Sequence, residues 1–428
     1  MRVPPKLADF PRYPVVAGTA LLAIAVTLAG WANVDMSPLF ETAMIRRGEV
    51  WRLVTSMLPH GGTLHLVFNI YWLWVFGTLI EETYGHFKTA ALILLFAFGS
   101  GAWEFALASG GIGLSGVGYG LFGMLWMLSR HDERFRDAID PKTVQLFIIW
   151  FFLCIITTVT KIMPVANIAH GTGAILGILI GLAMTRRKNR LLITAGISAI
   201  LVLGLWGATL GRPRINLSTT AGDEEQQWGY EFLRANKNKE ALSWLRDSVV
   251  YQPKNALFRY DLSVAQHRLG DDRAALASCR TAAEQGDLDA QYLLGSVYQD
   301  GSDGAPKDSR QALYWYGKAA AQNDAETLNS IAWTYVTSSD PAIRNPTTAL
   351  EYARKAVDME KDHPVPSYLD TLAEALYANQ KYEDAVKTEQ QAIVLASATE
   401  KDNFQKSLER YQLSLKGNGK GNDGHTGK

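Results

Sequence analysis

Two cysteines in 428 residues, Cys154 inside an apolar run and Cys279 far downstream, are too few for a disulfide framework or a zinc site. No His-Glu-x-x-His occurs, so the helical zinc-protease pattern is absent, and no G-x-x-x-x-G-K-[ST] offers a cradle for phosphates. His60, His65, His86 and His170 lack the neighbouring carboxylates that a metal site would use; neither a metal nor a cofactor is expected. A dense basic stripe with interleaved aromatics is also missing, which argues against nucleic acid as a partner. Net charge is zero, 42 Lys+Arg against 42 Asp+Glu, but that zero is a cancellation. Up to residue 221 there are 18 basic and 11 acidic side chains; beyond it there are 24 and 31. Nearly all the long apolar runs lie in the first, basic part. The chain therefore reads as a membrane domain followed by a soluble, mildly acidic one.

Seven apolar stretches approach the ~20 residues needed to cross a bilayer core: 13–32, 63–82, 88–108, 115–130, 144–163, 166–185 and 191–210, the fourth being short. The first is longer than a signal-peptide core and no small-x-small site follows, so it reads as a retained span. Arg2, Lys6 and Arg12 precede the first span, Arg130, Arg134, Arg136 and Lys142 follow the fourth, and Arg186, Arg187, Lys188 and Arg190 follow the sixth. All three clusters fall on one side, which the positive-inside rule makes cytoplasmic. Arg46, Arg47 and Arg52, in the first external loop, run against that rule. Seven spans put the two ends of this domain on opposite sides, so the soluble part is expected outside.

On this topology Ser115, in Gly113-Leu114-Ser115-Gly116, opens the fourth span from the external side. His65 opens the second span from that side, and His170 lies early in the sixth. A serine hydroxyl becomes a nucleophile when a base takes its proton, and histidine titrates in the right range. Gly173, Gly177 and Gly181 follow His170 at four-residue spacing, a stripe that lets another helix approach closely. The same stripe also reads as helix packing with an incidental histidine. His65 and Asn69, four apart on one helical face, are two donors of the kind an oxyanion needs. His60, in Pro59-His60-Gly61-Gly62, reads either as part of that site or as a polar interfacial residue. Glu104, an ionisable group within a span, reads as structural, because no partner in the reaction suggests itself.

These residues resemble the rhomboid family of intramembrane serine proteases. Trp51-Arg52 matches the family's W-R motif in its first external loop, and Gly113-x-Ser115-Gly116 with Tyr119 and Gly120 matches G-x-S-G-x-x-Y-G. Ala169-His170 with Gly173 and Gly177 matches A-H-x-x-G-x-x-x-G, and Gly77 and Glu81 fit the end of the second span. The resemblance covers about residues 38–185. It implies Ser115 as nucleophile and His170 as general base and acid, in a dyad with no carboxylate. It also implies His65, Asn69 and the Ser115 N–H around the oxyanion, with Tyr119 packed on the His170 ring and Gly113, Gly116 and His60 beside the site. Transmembrane protein segments would be the substrates, cut near one membrane face. Ser56 stands where many members have proline, a departure expected to affect a loop junction rather than the chemistry. The seventh span is an addition to the six-span core.

In the soluble part, Ala241, Ala275, Ala312, Ala349 and Ala385 recur at intervals of 34, 37, 37 and 36 residues, the period of stacked helical hairpins. The text from Asp289 to Tyr316 resembles a Sel1-type unit, and Tyr368 to Ala385 a tetratricopeptide unit. The expected architecture is all-α: a membrane helix bundle over residues 1–212, a linker at 213–222, and an α-solenoid over 223–416. A capping helix is expected at 400–415 and a disordered tail at 417–428. The solenoid would bind a peptide or protein partner and lie on the periplasmic side of a bacterial inner membrane, with the N-terminus cytoplasmic and lipid around the spans. The alternative is a non-catalytic scaffold that binds client transmembrane helices and soluble partners.

Overall fold

The computed structural model describes residues 4–322 and 324–422; among them every regular element is helical. The chain divides into two units after Glu225. In the first, α1 (Pro14–Trp31), α2 (Thr63–Tyr84), α3 (His86–Leu107), α4 (Ser115–His131), α5 (Pro141–Val159), α6 (Asn167–Thr185) and α7 (Arg190–Trp206) follow one another. Among the described residues, six helical stretches are long and apolar enough to cross a membrane, α7 as part of a continuous stretch Arg187–Ile215. The exception is α4, at 17 residues. It is also the helix most enclosed by others, with Val117, Tyr119, Leu121, Phe122, Met124, Leu125 and Leu128 all buried. By contrast α5 buries only Thr143, Phe147 and Cys154.

Helix ends explain where sequence expectation and structure differ. The fifth helix starts at Pro141 rather than 144 because Asp140 caps it, accepting the Thr143 N–H at 2.8 Å, with proline in the first turn. It stops at Val159, and Lys161 adopts φ 58°. At the other end of the bundle, the buried Glu81 carboxylate accepts the Val15 and Val16 N–H groups at 2.9 Å each, so the second helix supplies the cap of the first. Gly77 allows that approach: a Cβ there would sit 2.7 Å from a Val16 methyl. The stretch read as a linker is instead fixed to the first unit. After α7 come a π-helical turn, Gly207–Gly211, and a helical turn, Arg212–Ile215, whose side chains bond the end of α3.

The second unit is a run of helical hairpins: α8 (Asp223–Arg234, whose first turn precedes the division) with α9 (Asn238–Tyr251), α10 (Ala256–Arg268) with α11 (Asp272–Glu284), α12 (Leu288–Asp300) with α13 (Ser309–Ala319), α14 (Ala325–Thr337) with α15 (Pro346–Met359), and α16 (Pro366–Ala378) with α17 (Tyr382–Leu395). A last helix, α18 (Ala398–Asn422), follows. The five periodic alanines fall in the second helix of each hairpin and are buried, because only a methyl fits where partner helices meet. Asn255, Asp271, Asp287, Asp308, Asp324 and Asn345 cap successive helices. Where a disordered tail is expected, α18 continues to Asn422, no proline interrupting it; residues 423–428 lie outside the described residues.

Near the end of this unit Glu389 of α17 is fully buried, and among the described residues no donor reaches either of its oxygens. Its neighbour is the Asp370 carboxyl of α16. Burial, then repulsion from Asp370, holds Glu389 above the usual carboxylate range, and burial does the same for Asp370. Both folded-state values lie above the unfolded ones, so the folded unit binds more protons and loses stability as pH rises above ordinary carboxylate values. The thermal midpoint of the repeat unit is therefore expected to fall between pH 5 and pH 9, and Glu389→Gln to flatten that slope. A flat wild-type profile by circular dichroism would contradict the raised pair of carboxyls.

Candidate active site

Four segments build the site. The first is loop 108–114, between α3 and α4. Gly113 has φ 100°, a left-handed conformation that glycine adopts without strain, and a Cβ there would meet the His65 ring at 2.7 Å. Its N–H donates to the Ser56 carbonyl at 2.9 Å, and the Leu114 N–H to His60 Nε2 at 3.3 Å. The turn delivers Ser115 as the first residue of α4, whose opening N–H groups have no partner within the helix.

The second is α6. His170 is 3% exposed, and its Nε2 lies 2.8 Å from Ser115 Oγ. The Tyr119 ring stacks on the His170 imidazole, centroids 4.6 Å apart at 23°, while its hydroxyl donates to the Phe147 carbonyl at 3.2 Å. Among the described residues nothing bonds His170 Nδ1, so no carboxylate completes a triad. The pair meets because α4 and α6 touch main chain to main chain. A Cβ on Gly173 would stand 2.2 Å from the Gly116 carbonyl oxygen, and one on Gly177 2.0 Å from that of Gly120.

The third is the head of α2. The His65 and His60 rings lie 4.9 Å apart, His65 against Gly113. His60 uses both ring nitrogens within the loops, Nδ1 bonding the Leu58 carbonyl at 2.9 Å, which makes it a support of loop 108–114. Asn69 is buried, and its amide donates to the His65 carbonyl of its own helix at 2.9 Å. Gly116 leaves room for Ser100, whose Oγ a Cβ would approach to 2.3 Å.

The fourth is the loop before α2, whose part in the site no motif announces. The buried Glu41 carboxylate accepts the Gly111 N–H at 2.8 Å and the Ser56 hydroxyl at 3.0 Å. Burial pushes Glu41 well above the usual carboxylate range. Ser56, expected to matter only at a junction, thus holds loop 108–114 through both its hydroxyl and its carbonyl. Arg52 of the Trp-Arg pair is buried away from Ser115, donating to Glu49 at 2.6 Å and to the Ser37 and Phe40 carbonyls at 2.5 and 3.2 Å. Glu104 takes a structural place: it accepts the Ala169 N–H at 2.9 Å and so caps the helix that carries His170. Glu41, Ser56, Glu104 and Ser115 line a cavity of about 20 Å³, room for about one water.

An all-helical bundle of apolar spans with a Ser–His pair at one end of its central helix, followed by a helical-repeat solenoid, defines a multi-pass integral membrane protein with an appended repeat domain. Comparison with known families gives these parts names. Residues 47–187 match the rhomboid domain, and residues 288–324 and 330–360 match the Sel1 repeat. The chain carries a rhomboid domain followed by Sel1 repeats. It is 34% identical over 142 residues to the rhomboid protease GlpG of Serratia proteamaculans (strain 568), covering 33% of this chain and 50% of that protein. To the GlpG of Yersinia pseudotuberculosis serotype I (strain IP32953) it is 27% identical over 183 residues, 41% of this chain and 65% of that one. The chain thus spans between half and two thirds of the length of these curated relatives. Among solved structures, a Sel1 repeat protein from Oxalobacter formigenes aligns at 17% identity and a TM-score of 0.34, over 54% of this chain and 99% of that one.

Proposed function

We propose that this chain is an intramembrane serine endopeptidase that cuts transmembrane segments of other proteins near the external membrane face, with Ser115 as nucleophile and His170 as base. The 2.8 Å approach of His170 Nε2 to Ser115 Oγ carries this reading. The rhomboid domain and the GlpG relatives support it.

The chemistry follows from the geometry. Ser115 Oγ attacks the scissile carbonyl carbon while its proton passes to His170 Nε2. The carbonyl electrons move onto oxygen, and that oxyanion is met by His65, Asn69 and the Ser115 N–H, at the positive end of α4. Collapse breaks the C–N bond, and the leaving amine takes the proton from His170. Water, for which the cavity beside Ser115 has room, then hydrolyses the acyl-enzyme, with His170 again as base. A substrate helix hides its carbonyls in i→i−4 bonds, so the segment to be cut must first unwind.

The basic clusters after α4 and α6 support a cytoplasmic N-terminus and an external site, in a bacterial inner membrane. With α7 crossing, the Sel1 repeats emerge on the external side and bind a peptide or protein partner. The test is cleavage of single-span reporter proteins by the full chain in proteoliposomes. Cuts are expected in the outer part of the reporter span, blocked by a fluorophosphonate that labels Ser115 and unaffected by a chelator. Failure to cut any reporter in a broad panel, or cutting that survives complete labelling of Ser115, would refute the reading.

A further inference from the structure

The last turn of α3 leaves carbonyls without intrahelical donors, as every helix end does. Here residues about a hundred positions later satisfy them. Arg212 Nε donates to the Phe105 carbonyl at 2.9 Å, and its Nη2 to the Ala108 carbonyl at 3.3 Å. The Asn216 amide reaches the carbonyls of Phe105 at 3.4 Å, Ala106 at 3.3 Å and Ala108 at 2.8 Å, and the Leu217 N–H that of Leu107 at 2.8 Å. The strap is itself anchored. Arg212 is 4% exposed, its guanidinium 3.9 Å above the Phe105 ring, and Glu225, 1% exposed, stands 3.8 Å from Arg212 and 3.9 Å from Arg46. Glu224 accepts the Ala43 N–H at 2.8 Å, two residues beyond Glu41. The strap therefore grips both neighbours of the nucleophile loop: the helix end from which that loop departs, and the segment whose Glu41 holds Gly111.

We propose that the strap following the seventh span, residues 212–225, positions the nucleophile loop, with Arg212 as its principal positioning residue. The inference rests on the protease reading above. On this view the seventh helix returns the chain to the end of the bundle where Ser115 sits, and the strap supplies there donors that α3 lacks. A guanidinium fork can serve two carbonyls and lie flat on Phe105; a lysine ammonium cannot do both.

The test uses the full-length protein in proteoliposomes, with kcat and KM measured on a cleaved reporter and the fluorophosphonate labelling rate of Ser115 measured per folded molecule. Arg212→Ala is expected to lower kcat and the labelling rate together, by about 10- to 100-fold, with KM within about twofold, the cost of small misplacement of a reacting group. Arg212→Lys should recover only part of this. Exposed Arg214→Ala should behave as wild type. Should Arg212→Ala not fold, Asn216→Ala, which removes that residue's three caps and leaves Arg212, is expected to give a smaller fall in the same two rates. Arg212→Ala at the wild-type kcat, or an Arg212→Ala or Asn216→Ala loss that tracks only the amount of folded protein, would overturn the inference while leaving the protease reading intact. Absence of cleavage by the wild type, with every reporter, would overturn both.

Discussion

Ser115→Ala is expected to abolish reporter cleavage, a loss on the order of 10⁶ in kcat when nucleophile and base act as a unit. His170→Ala should lose as much, and the double variant no more than either. The reason lies in the 2.8 Å contact: without the imidazole the hydroxyl keeps its proton, and without the hydroxyl the imidazole has nothing to deprotonate. His170 Nδ1 has no acceptor among the described residues, so no carboxylate stands behind the imidazole as a third member. Initial rates on a fluorogenic transmembrane reporter, at equal amounts of folded protein, decide the matter. Additive losses, with the double variant far below both singles, would mean that the two residues act independently and are not a dyad.

Gly177→Ala is the second large effect, on both stability and activity. In an ordinary exposed helix the change would help by about 1 kcal/mol, since alanine is the better helix former. Here the new Cβ would stand 2.0 Å from the Gly120 carbonyl oxygen and 2.8 Å from the Met124 nitrogen. Both obstacles are main chain and cannot turn aside as a side chain could. An ordinary C···O contact is about 3.4 Å, so the helices must part by more than an ångström. Overpacking of this kind costs about 1–3 kcal/mol, enough to outweigh the gain in propensity. The same displacement would pull His170 from Ser115, and misplacement by about 1 Å costs roughly 100-fold in rate. Gly118→Ala is the control, because a Cβ there meets nothing within 4 Å. Thermal unfolding in detergent and reporter cleavage, measured together, should separate the two substitutions; equal behaviour would contradict the close seam.

The elements of both units were legible because each carries a strong local signal. Apolar runs mark spans, and an alanine every 34 to 37 residues marks hairpins. The glycine stripe was legible for a related reason: small residues in series at helical spacing let membrane helices approach closely, and that approach brings Ser115 and His170 together. Glu41, Ser56 and Arg212 were not. Their roles depend on where main-chain N–H and C=O groups from distant loops end up, and no periodicity encodes that. Glu104 shows the boundary between the two cases. Its placement within a span was evident, but its partner, the Ala169 N–H, appears only once α3 and α6 lie side by side. Residues 213–222 look like a linker for the same reason: their contacts are with carbonyls that any sequence would present.

The seam between α4 and α6 also sets a clock. Two backbones in contact have no rotamers to exchange, so the separation of α4 and α6 is insulated from the picosecond-to-nanosecond flicker of side chains. It changes only when whole helices slide, on microseconds or longer. The main-chain positions that carry Ser115 and His170 are therefore a fixed anvil on the timescale of bond-making. On the proposed reading, admission of a substrate segment then falls to parts held more lightly, such as α5 with three buried residues and α7 with two.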